Sequence, residues 1–147
     1  MSSKQAGIEF RQVTKRYSPG GPLVVKGIDF VVPKGTLTTI LGPSGCGKTT
    51  TLRMIAGLES PSGGQIFIDG KDVTQLGPNE RQVSMVFQSY ALFPHMPVLQ
   101  NVGYGLEVSG VPRAQILERA RAALATVGLQ GMDERYPSEL SGGQQQR

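Results

Sequence analysis

Gly42-Pro43-Ser44-Gly45-Cys46-Gly47-Lys48-Thr49 is the stretch that decides the fold of this 147-residue chain. It fits G-x-x-x-x-G-K-[ST], a pattern that is informative only when a strand precedes it and a helix follows it. The β-branched run Thr36–Leu41 predicts a buried strand directly before the stretch, and Lys48–Leu58 predicts a helix after it. The apolar side of that helix is expected to carry Leu52, Ile55, Ala56 and Leu58.

The chemistry of this stretch is anion binding. Its glycines let a phosphate approach successive backbone N–H groups at the positive end of the helix. The Lys48 ammonium can follow the β- and γ-phosphates, and the Thr49 hydroxyl suits a Mg²⁺ ion that keeps most of its waters. The stretch therefore predicts a nucleoside triphosphate site, with a glycine-rich turn and a chance lysine as the alternative. The expected nucleotide-binding residues are Gly42, Pro43, Ser44, Gly45, Cys46, Gly47, Lys48, Thr49 and Thr50.

A second helix start lies near residue 141, in the segment Leu140-Ser141-Gly142-Gly143-Gln144. Ser141 and Gln144 have the spacing of a capping box, so a helix is expected to begin here with two glycines in its first turn. Such a turn exposes free N–H groups and offers a second surface for phosphate. An ordinary capped helix is the alternative. The expected ligand contacts are Ser141, Gly142, Gly143 and Gln144.

Strand patterns dominate the chain up to Phe87, and helical patterns dominate it afterwards. After Pro97 apolar residues recur at every fourth position, and Pro112 and Gly128 stand where a further helix would begin and end. The joint between the two parts is expected within Gln88–Pro97. The other predicted strands are Ile8–Val13, Leu23–Val32, Gln65–Asp69 and Gln82–Phe87.

Composition excludes several classes of protein. A hydrophobic content of 38% and a charged content of 18% indicate a packed globular chain rather than a disordered one. The single cysteine cannot form an intramolecular disulfide, and no apolar run approaches the roughly 18 residues of a membrane-spanning helix. The net charge of +4 comes from residues 1–34, which hold six basic and two acidic side chains. Because basic residues do not interleave with aromatic ones, no nucleic-acid partner is expected.

With both motifs in place, the chain resembles the nucleotide-binding subunits of ABC transporters, from about Ile8 to Arg147. The resemblance implies an α/β fold, a P-loop NTPase of the ABC type. Residues 1–96 would hold the ATP-binding core portion, with an antiparallel β subdomain and part of a parallel sheet beside the phosphate-loop helix. Residues 97–147 would form an α-helical subdomain that carries the signature motif. The remainder of the nucleotide-binding domain would lie outside these residues.

The resemblance also implies roles for residues outside the two motifs. Tyr17 occupies the position of an aromatic residue that stacks on adenine, with a half-buried aromatic beside a hairpin as the alternative. Gln88 corresponds to a glutamine that contacts Mg²⁺ and the attacking water, so Thr49 and Gln88 are the implied metal ligands. Lys48 and Gln88 are the implied catalytic residues. Residues Gln88–Met96 would form a groove for a membrane-spanning permease, although their apolar side chains could instead pack under the helices.

The segment Leu92–Val98 is most similar to importer ATPases for polyamines, ferric iron, sulfate, phosphonates or sugars, and the cargo itself stays open. The implied function is an ATPase subunit that couples the binding and hydrolysis of ATP with Mg²⁺ to solute uptake. Two copies would enclose each ATP between Gly42–Thr49 of one and Ser141–Gln144 of the other. The homodimer would lie on the cytoplasmic face of the inner membrane against permease subunits, with a periplasmic or extracellular binding protein reached indirectly.

Family members continue beyond the signature with an aspartate for Mg²⁺, a glutamate that polarises the attacking water, and a histidine that senses the γ-phosphate. None of the three follows Ser141–Gln144 here, so we expect the chain alone to hydrolyse ATP far more slowly than a complete subunit. We therefore interpret the chain as the N-terminal portion of a longer protein, in which a further strand would pair with Thr36–Leu41. Two alternatives stay open: a truncated, non-catalytic ATP-binding module, and an ABC-type ATPase that acts on nucleic acid or ribosomes.

Overall fold

A computed structural model describes residues 6–147, so the first five residues of the expected core portion lie outside the described part. The chain forms two compact units, which divide between Met85 and Val86. The joint expected at Gln88–Pro97 begins shortly after this division in the sequence. The expected domain boundary between residues 96 and 97 stays a prediction. Within residues 6–147, no helix is both long enough and apolar enough to cross a bilayer.

An antiparallel sheet forms the body of the first unit. Its strands are β1 (Ala6–Lys15), β2 (Val25–Pro33), β3 (Gly63–Ile68) and β4 (Lys71–Asp72), in the spatial order β2-β1-β3-β4. Because β1 pairs with both β2 and β3, Phe10 lies between Phe30 on one side and Ile66 on the other. The sheet confirms the expected antiparallel β subdomain and three of the predicted strands.

The first helix, α1 (Lys48–Ala56), begins where the sequence predicts. Met54 is fully buried in the core, whereas Leu52 and Leu58, both expected on the apolar face, are exposed. The prediction for Leu52 is wrong because a rotation of about 100° per residue places it roughly 200° away from Met54. Leu58 lies beyond the end of the helix. The core of the unit consists of Phe10, Val13, Val25, Met54, Ile66 and Val73.

The strands predicted at Thr36–Leu41 and Gln82–Phe87 are wrong for the described residues, where both segments are irregular. Leu37 is 96% exposed and Leu41 is 85% exposed, so the first segment is not buried either. A strand needs a neighbouring strand to satisfy its N–H and C=O groups, and neither segment has one in the four-stranded sheet. Residues 6–147 therefore do not form the expected parallel portion of the sheet.

Helices form the second unit, as the change of period after Pro97 predicts. They are α2 (Val98–Val108), α3 (Arg113–Thr126) and the short α4 (Gly142–Gln145). Pro112 directly precedes α3, and Gly128 follows it with the positive φ of a C-terminal cap, 69°. A short 3₁₀ helix at Pro137–Glu139 leads towards α4. The core consists of Val98, Leu99, Ala120, Leu124, Leu129 and Leu140.

Candidate functional site

The phosphate-loop segment Gly42–Thr49 runs from irregular backbone into the first turn of α1. Gly45 and Gly47 have φ values of 79° and 94°, in the left-handed region that favours glycine. At Gly47 a Cβ atom would lie 3.0 Å from the carbonyl oxygen of Val24, so close packing adds to the conformational requirement. The loop therefore depends on glycine at position 47 for two independent reasons.

The N-terminus of α1 is open to an anion. Gly47 has no side chain that could cap the helix, and no acidic residue in the first turn would repel a phosphate. The first backbone N–H groups of a helix have no partner within the helix and carry its positive dipole end. A phosphate group can therefore take the position that a capping side chain occupies in other helices.

Lys48 folds over the loop from which it extends. Its ammonium donates hydrogen bonds of 2.7 Å to the carbonyl oxygens of Gly42 and Pro43, and its Nζ lies 3.7 Å from the Sγ of Cys46. These acceptors are neutral, whereas phosphate oxygens are charged and form stronger hydrogen bonds with an ammonium group. Lys48 is therefore placed where it can exchange the two carbonyls for phosphate oxygens.

Tyr17 lies beside the helix that follows the phosphate loop. Its hydroxyl is 3.1 Å from the Oγ1 of Thr50 in the first turn of α1. The Lys15 ammonium lies over the Tyr17 ring, 5.1 Å from the ring centroid, and the tyrosine is 59% exposed. The structure thus brings Tyr17 and Thr50 together and leaves ring surface accessible to a planar ligand.

Lys15 is a residue near the site that the sequence analysis missed. It is 8% exposed, forms an ion pair with Glu59 at 2.5 Å, and donates a hydrogen bond of 2.7 Å to the Ser60 carbonyl. No local pattern signals these contacts, because 45 residues separate Lys15 from Ser60.

Arg81 holds the opposite end of α1, and the sequence analysis gave it no role. Its guanidinium donates hydrogen bonds of 2.5 Å and 3.0 Å to the carbonyls of Met54 and Ile55 in the last turn, and two more to the Leu76 carbonyl. A cation at this end complements the helix dipole. Burial lowers the pKa of the Arg81 guanidinium below its ordinary value.

In the second unit, α4 begins with the expected capping box. The Gln144 N–H donates to the Ser141 Oγ at 3.3 Å, and the Ser141 N–H donates to the Gln144 Oε1 at 2.9 Å. Gly142 and Gly143 are exposed, and apart from adjacent residues and the backbone of α4 itself, nothing lies within 4 Å of the position that a Cβ atom would take at either residue. The capping-box prediction is confirmed, and the first turn of α4 is open to solvent.

Residues Gln88–Met96 form an irregular loop in which Gln88 is exposed. Asn101 in α2 fixes the end of this loop, since its Oδ1 accepts a hydrogen bond of 2.8 Å from the Phe93 N–H and its Nδ2 donates to three carbonyls. The Phe93 ring also packs against Tyr104 with 4.6 Å between the ring centroids. The three carbonyls belong to Phe93, Met96 and Pro97.

A cavity of about 210 Å³ lies within the second unit. Leu92 from the loop and Leu140 from the segment before α4 both line it, and its surface is largely apolar. Leu92 therefore belongs to a concave apolar surface, and a groove for a permease at Gln88–Met96 stays a prediction. Gln88 and Thr49 belong to different units, so their pairing as metal ligands stays a prediction.

Comparison with known proteins identifies the family of the chain. A family model described as "ABC transporter" matches residues 25–147, a range that includes the phosphate loop and the capping box at α4. The chain belongs to the ABC transporter family. The family predicted from Gly42–Thr49 and Ser141–Gln144 is thereby confirmed, while the roles of individual site residues in this family member stay predictions.

Relatives of this ABC family member include three proteins named "Fe(3+) ions import ATP-binding protein FbpC" or FbpC 1. The chain is 56% identical to that of Escherichia coli K12 over 140 residues, covering 95% of the chain and 40% of the relative. It is 60% identical to one from Rhizobium meliloti strain 1021 over 140 residues (95% and 39%) and 58% identical to one from Brucella abortus strain 2308 over 144 residues (98% and 40%). The chain thus spans about two-fifths of their length.

Solved ABC structures confirm the fold class. A dimeric structure of the ATP-binding cassette MJ0796, in a post-hydrolysis state bound to ADP and Pi, matches with a TM-score of 0.83 and 30% identity. A second dimeric structure of MJ0796, described as a bacterial ABC transporter cassette, matches with a TM-score of 0.82. Each match covers 95% of this chain and 65% of the other. The α/β fold of the ABC type is therefore established for the chain.

Proposed function

We propose that the chain is the ATP-binding part of an ABC importer subunit, and that the full-length protein couples ATP hydrolysis to solute uptake. The phosphate loop carries this proposal, because Gly42–Thr49 leads into an uncapped helix start and Lys48 stands over the loop with two exchangeable hydrogen bonds. The relatives named as import ATP-binding proteins support it.

In this proposal ATP lies along the start of α1. The N–H groups of the loop and of the first helical turn bind the phosphates, and Lys48 exchanges its carbonyl partners for β- and γ-phosphate oxygens. Tyr17, which contacts Thr50 in that turn, stacks on the adenine ring. Gln88 orients the attacking water through its neutral amide, which does not repel phosphate.

Mg²⁺ fits the oxygen donors of the site. Thr49 is an exposed residue at the start of α1, and Gln88 is an exposed residue in the other unit. Across residues 6–147, no three His, Cys, Asp or Glu side chains gather into a metal cluster, and Mg²⁺ typically needs only one or two protein ligands beside phosphates and water. We assign Thr49 and Gln88 to the ion, which neutralises phosphate charge when bound.

A second copy completes the site in this proposal. Ser141–Gln144 of one copy faces the triphosphate held by Gly42–Thr49 of the other, and the open first turn of α4 supports this placement. The dimeric state of the two structural neighbours supports it too. ATP binding then favours the closed dimer through contacts that hydrolysis removes.

We further propose ferric iron as the transported solute, since relatives at 56–60% identity are named for Fe(3+) import. The subunit would be peripheral, on the cytoplasmic face of the inner membrane. Permease subunits would contact residues Gln88–Met96, where Asn101 holds the loop and Leu92 lines an apolar cavity. A periplasmic or extracellular binding protein would deliver iron to the permease without touching this chain.

The test replaces Lys48 in the full-length protein. Lys48→Ala is expected to weaken ATP binding at least about tenfold and to abolish hydrolysis, because the ammonium that meets the phosphates is removed. Lys34→Ala, which breaks an exposed ion pair with Asp69 at 3.0 Å, serves as the matched control. Unchanged ATP affinity in Lys48→Ala would refute the proposal.

The cargo is tested separately in cells. A strain that lacks the gene is expected to lose uptake of radioactive ferric iron, and the Lys48→Ala gene should not restore it. If iron uptake persists while uptake of another solute is lost, the iron assignment fails and the importer assignment stands.

A further inference from the structure

We propose that Lys15 is a positioning residue for base recognition: anchored by Glu59 and Ser60, it holds the Tyr17 ring so that the opposite ring face stacks on the nucleobase. The inference rests on the proposed function, because it concerns how the same ATP site reads the base. No residue of the phosphate loop takes part in this positioning of Tyr17. Its basis is a set of contacts that join the end of β1 to the segment after α1.

Lys15 is a buried charge with three neighbours. Its ammonium lies 2.5 Å from the Glu59 carboxylate, 2.7 Å from the Ser60 carbonyl oxygen and 5.1 Å from the Tyr17 ring centroid. A buried ammonium group is tolerated only when it has such partners. The carboxylate and the carbonyl fix the position of the ammonium, and the ammonium holds one face of the ring by a cation–π contact.

Backbone contacts anchor the same stretch independently. The Ser62 N–H donates to the Thr14 carbonyl at 2.8 Å, its Oγ accepts a hydrogen bond of 3.0 Å from the Arg16 N–H, and the same hydroxyl donates to the Arg16 carbonyl at 3.2 Å. The Lys15 carbonyl accepts from the Val24 N–H at 2.7 Å. The residues before Tyr17 are therefore fixed on both sides of Lys15, and the ring extends from a defined backbone position.

The Tyr17 ring combines restraint with accessibility. Its hydroxyl contacts Thr50 and one of its faces carries the Lys15 ammonium, yet the residue is 59% exposed. A base that stacks on this ring must use the face opposite Lys15. A ring that is already held in place loses little conformational entropy when the base binds. If the ring is freed from Lys15, that entropy cost rises and the affinity for the base falls. Contacts between Lys48 and the phosphates are unaffected by that release.

The test compares ATP with inorganic tripolyphosphate, which has no base, by titration calorimetry on the full chain. Lys15→Met is expected to weaken ATP binding by about three- to thirtyfold, the range of a cation–π contact. It should change tripolyphosphate binding by less than about twofold, since the phosphate loop stays intact. Lys15→Arg keeps a cation that can pair and stack, so it should restore most of the ATP affinity.

Two controls separate positioning from a general effect on folding. Lys34→Met removes an exposed lysine that pairs with Asp69, and it should change neither affinity. In a chain that already carries Tyr17→Leu, Lys15→Met should cause no further loss of ATP affinity if Lys15 acts through the ring. If Lys15→Met does not fold, as judged by thermal unfolding, Ser62→Ala frees the Arg16 backbone while keeping the Lys15 ion pair and allows the same comparison.

Equal losses for ATP and tripolyphosphate in Lys15→Met would overturn the inference. The inference would also fail if Lys15→Met reduced ATP affinity in the Tyr17→Leu chain as much as in the unchanged chain. It would fail too if Tyr17→Leu left the preference for ATP over tripolyphosphate unchanged. A different result refutes the proposed function instead: failure of the unchanged chain to bind either ligand.

Discussion

Cys46 lies within the phosphate loop and is the only cysteine in the chain. It is exposed, and its Sγ would lie 2.7 Å from a Cβ atom at Gly42, so the sulfur packs closely against the start of the loop. We predict that alkylation with N-ethylmaleimide weakens ATP binding at least about tenfold, because the adduct occupies space that the phosphates need. The affinity of labelled and unlabelled chains for ATP is the measurement.

A Cys46→Ser variant is the control for the alkylation experiment, and the reagent should leave its ATP affinity unchanged. ATP added before the reagent should also slow the labelling of the unchanged chain. If the fully labelled chain binds ATP as tightly as the unlabelled one, ATP does not occupy the loop as we place it.

Single residues also show how far the sequence determines the site. The capping box of Ser141 and Gln144 was predictable, because it depends on a spacing of three residues within one turn. The pairing of Lys15 with Glu59 was not, since it depends on how β1 and the segment after α1 meet in the folded unit. Nor does the sequence indicate that Lys48 donates to carbonyls of its own loop.

At the scale of elements, Arg81 caps the C-terminal end of α1 through hydrogen bonds to the carbonyls of Met54 and Ile55. We predict that Arg81→Met destabilises the chain by roughly 2–4 kcal/mol, because it leaves the helix-end carbonyls and the Leu76 carbonyl without their buried donor. Chemical denaturation of the first unit measures this change. Arg53→Met is the matched control, since Arg53 is exposed in the last turn of the same helix. Equal destabilisation by both substitutions would contradict the capping role.

Asp72, the last residue of β4, gives the stability of the first unit a pH dependence. Asp72 accepts hydrogen bonds from the Thr74 hydroxyl at 2.5 Å and the Thr74 N–H at 2.9 Å, and these contacts hold the pKa of the Asp72 carboxyl below its ordinary value. Since the folded-state pKa is the lower one, this contribution to stability is present above about pH 4, the ordinary aspartate range. It is lost as pH falls through the folded-state pKa.

We therefore predict that acidification lowers the unfolding temperature of the chain more steeply than that of Asp72→Asn. Thermal unfolding from about pH 6 to below about pH 4 enters the range in which this contribution of Asp72 begins to be lost. Asp69→Asn, at an exposed residue of the turn before β4, should keep the steep dependence. If the unfolding temperatures of the unchanged chain and Asp72→Asn fall in parallel with pH, the hydrogen bonds from Thr74 to Asp72 do not contribute to the pH dependence of stability.

Elements differ in how well the sequence predicts them. The strands β1, β2 and β3 and the helices α2 and α3 were predictable, because the hydrophobic pattern of each lies within its own segment, even where the partner is distant, as Ile8 of β1 is from Ile68 of β3. The β-branched run Thr36–Leu41 has the composition of a buried strand, but composition does not supply a hydrogen-bonded neighbour. The same holds for Gln82–Phe87, whose Val86 is 96% exposed.

At the scale of the whole molecule, the proposed dimer has a direct test. We predict that the full-length protein forms dimers with a non-hydrolysable ATP analogue and Mg²⁺, as measured by light scattering. Ser141→Arg should weaken this dimerisation at least about tenfold, because it removes the capping box and places a bulky cation at the proposed interface.

The matched control for dimerisation is Ser138→Arg, which makes the same change at an exposed residue of the preceding 3₁₀ helix. Ser138→Arg should dimerise as the unchanged protein does. If Ser141→Arg also dimerises normally, Ser141–Gln144 does not face the partner's triphosphate.

Any anion that binds in the loop must replace the two hydrogen bonds that the Lys48 ammonium donates to the carbonyls of Gly42 and Pro43. A ligand must offer the ammonium more than these two neutral oxygens do, and a singly charged oxyanion such as acetate brings only one charge to replace both of them. A polyanion offers several charged oxygens together and displaces both carbonyls. The loop carbonyls thus compete with the ligand for the Lys48 ammonium. The loop therefore favours ligands with a high density of negative charge, whichever base they carry.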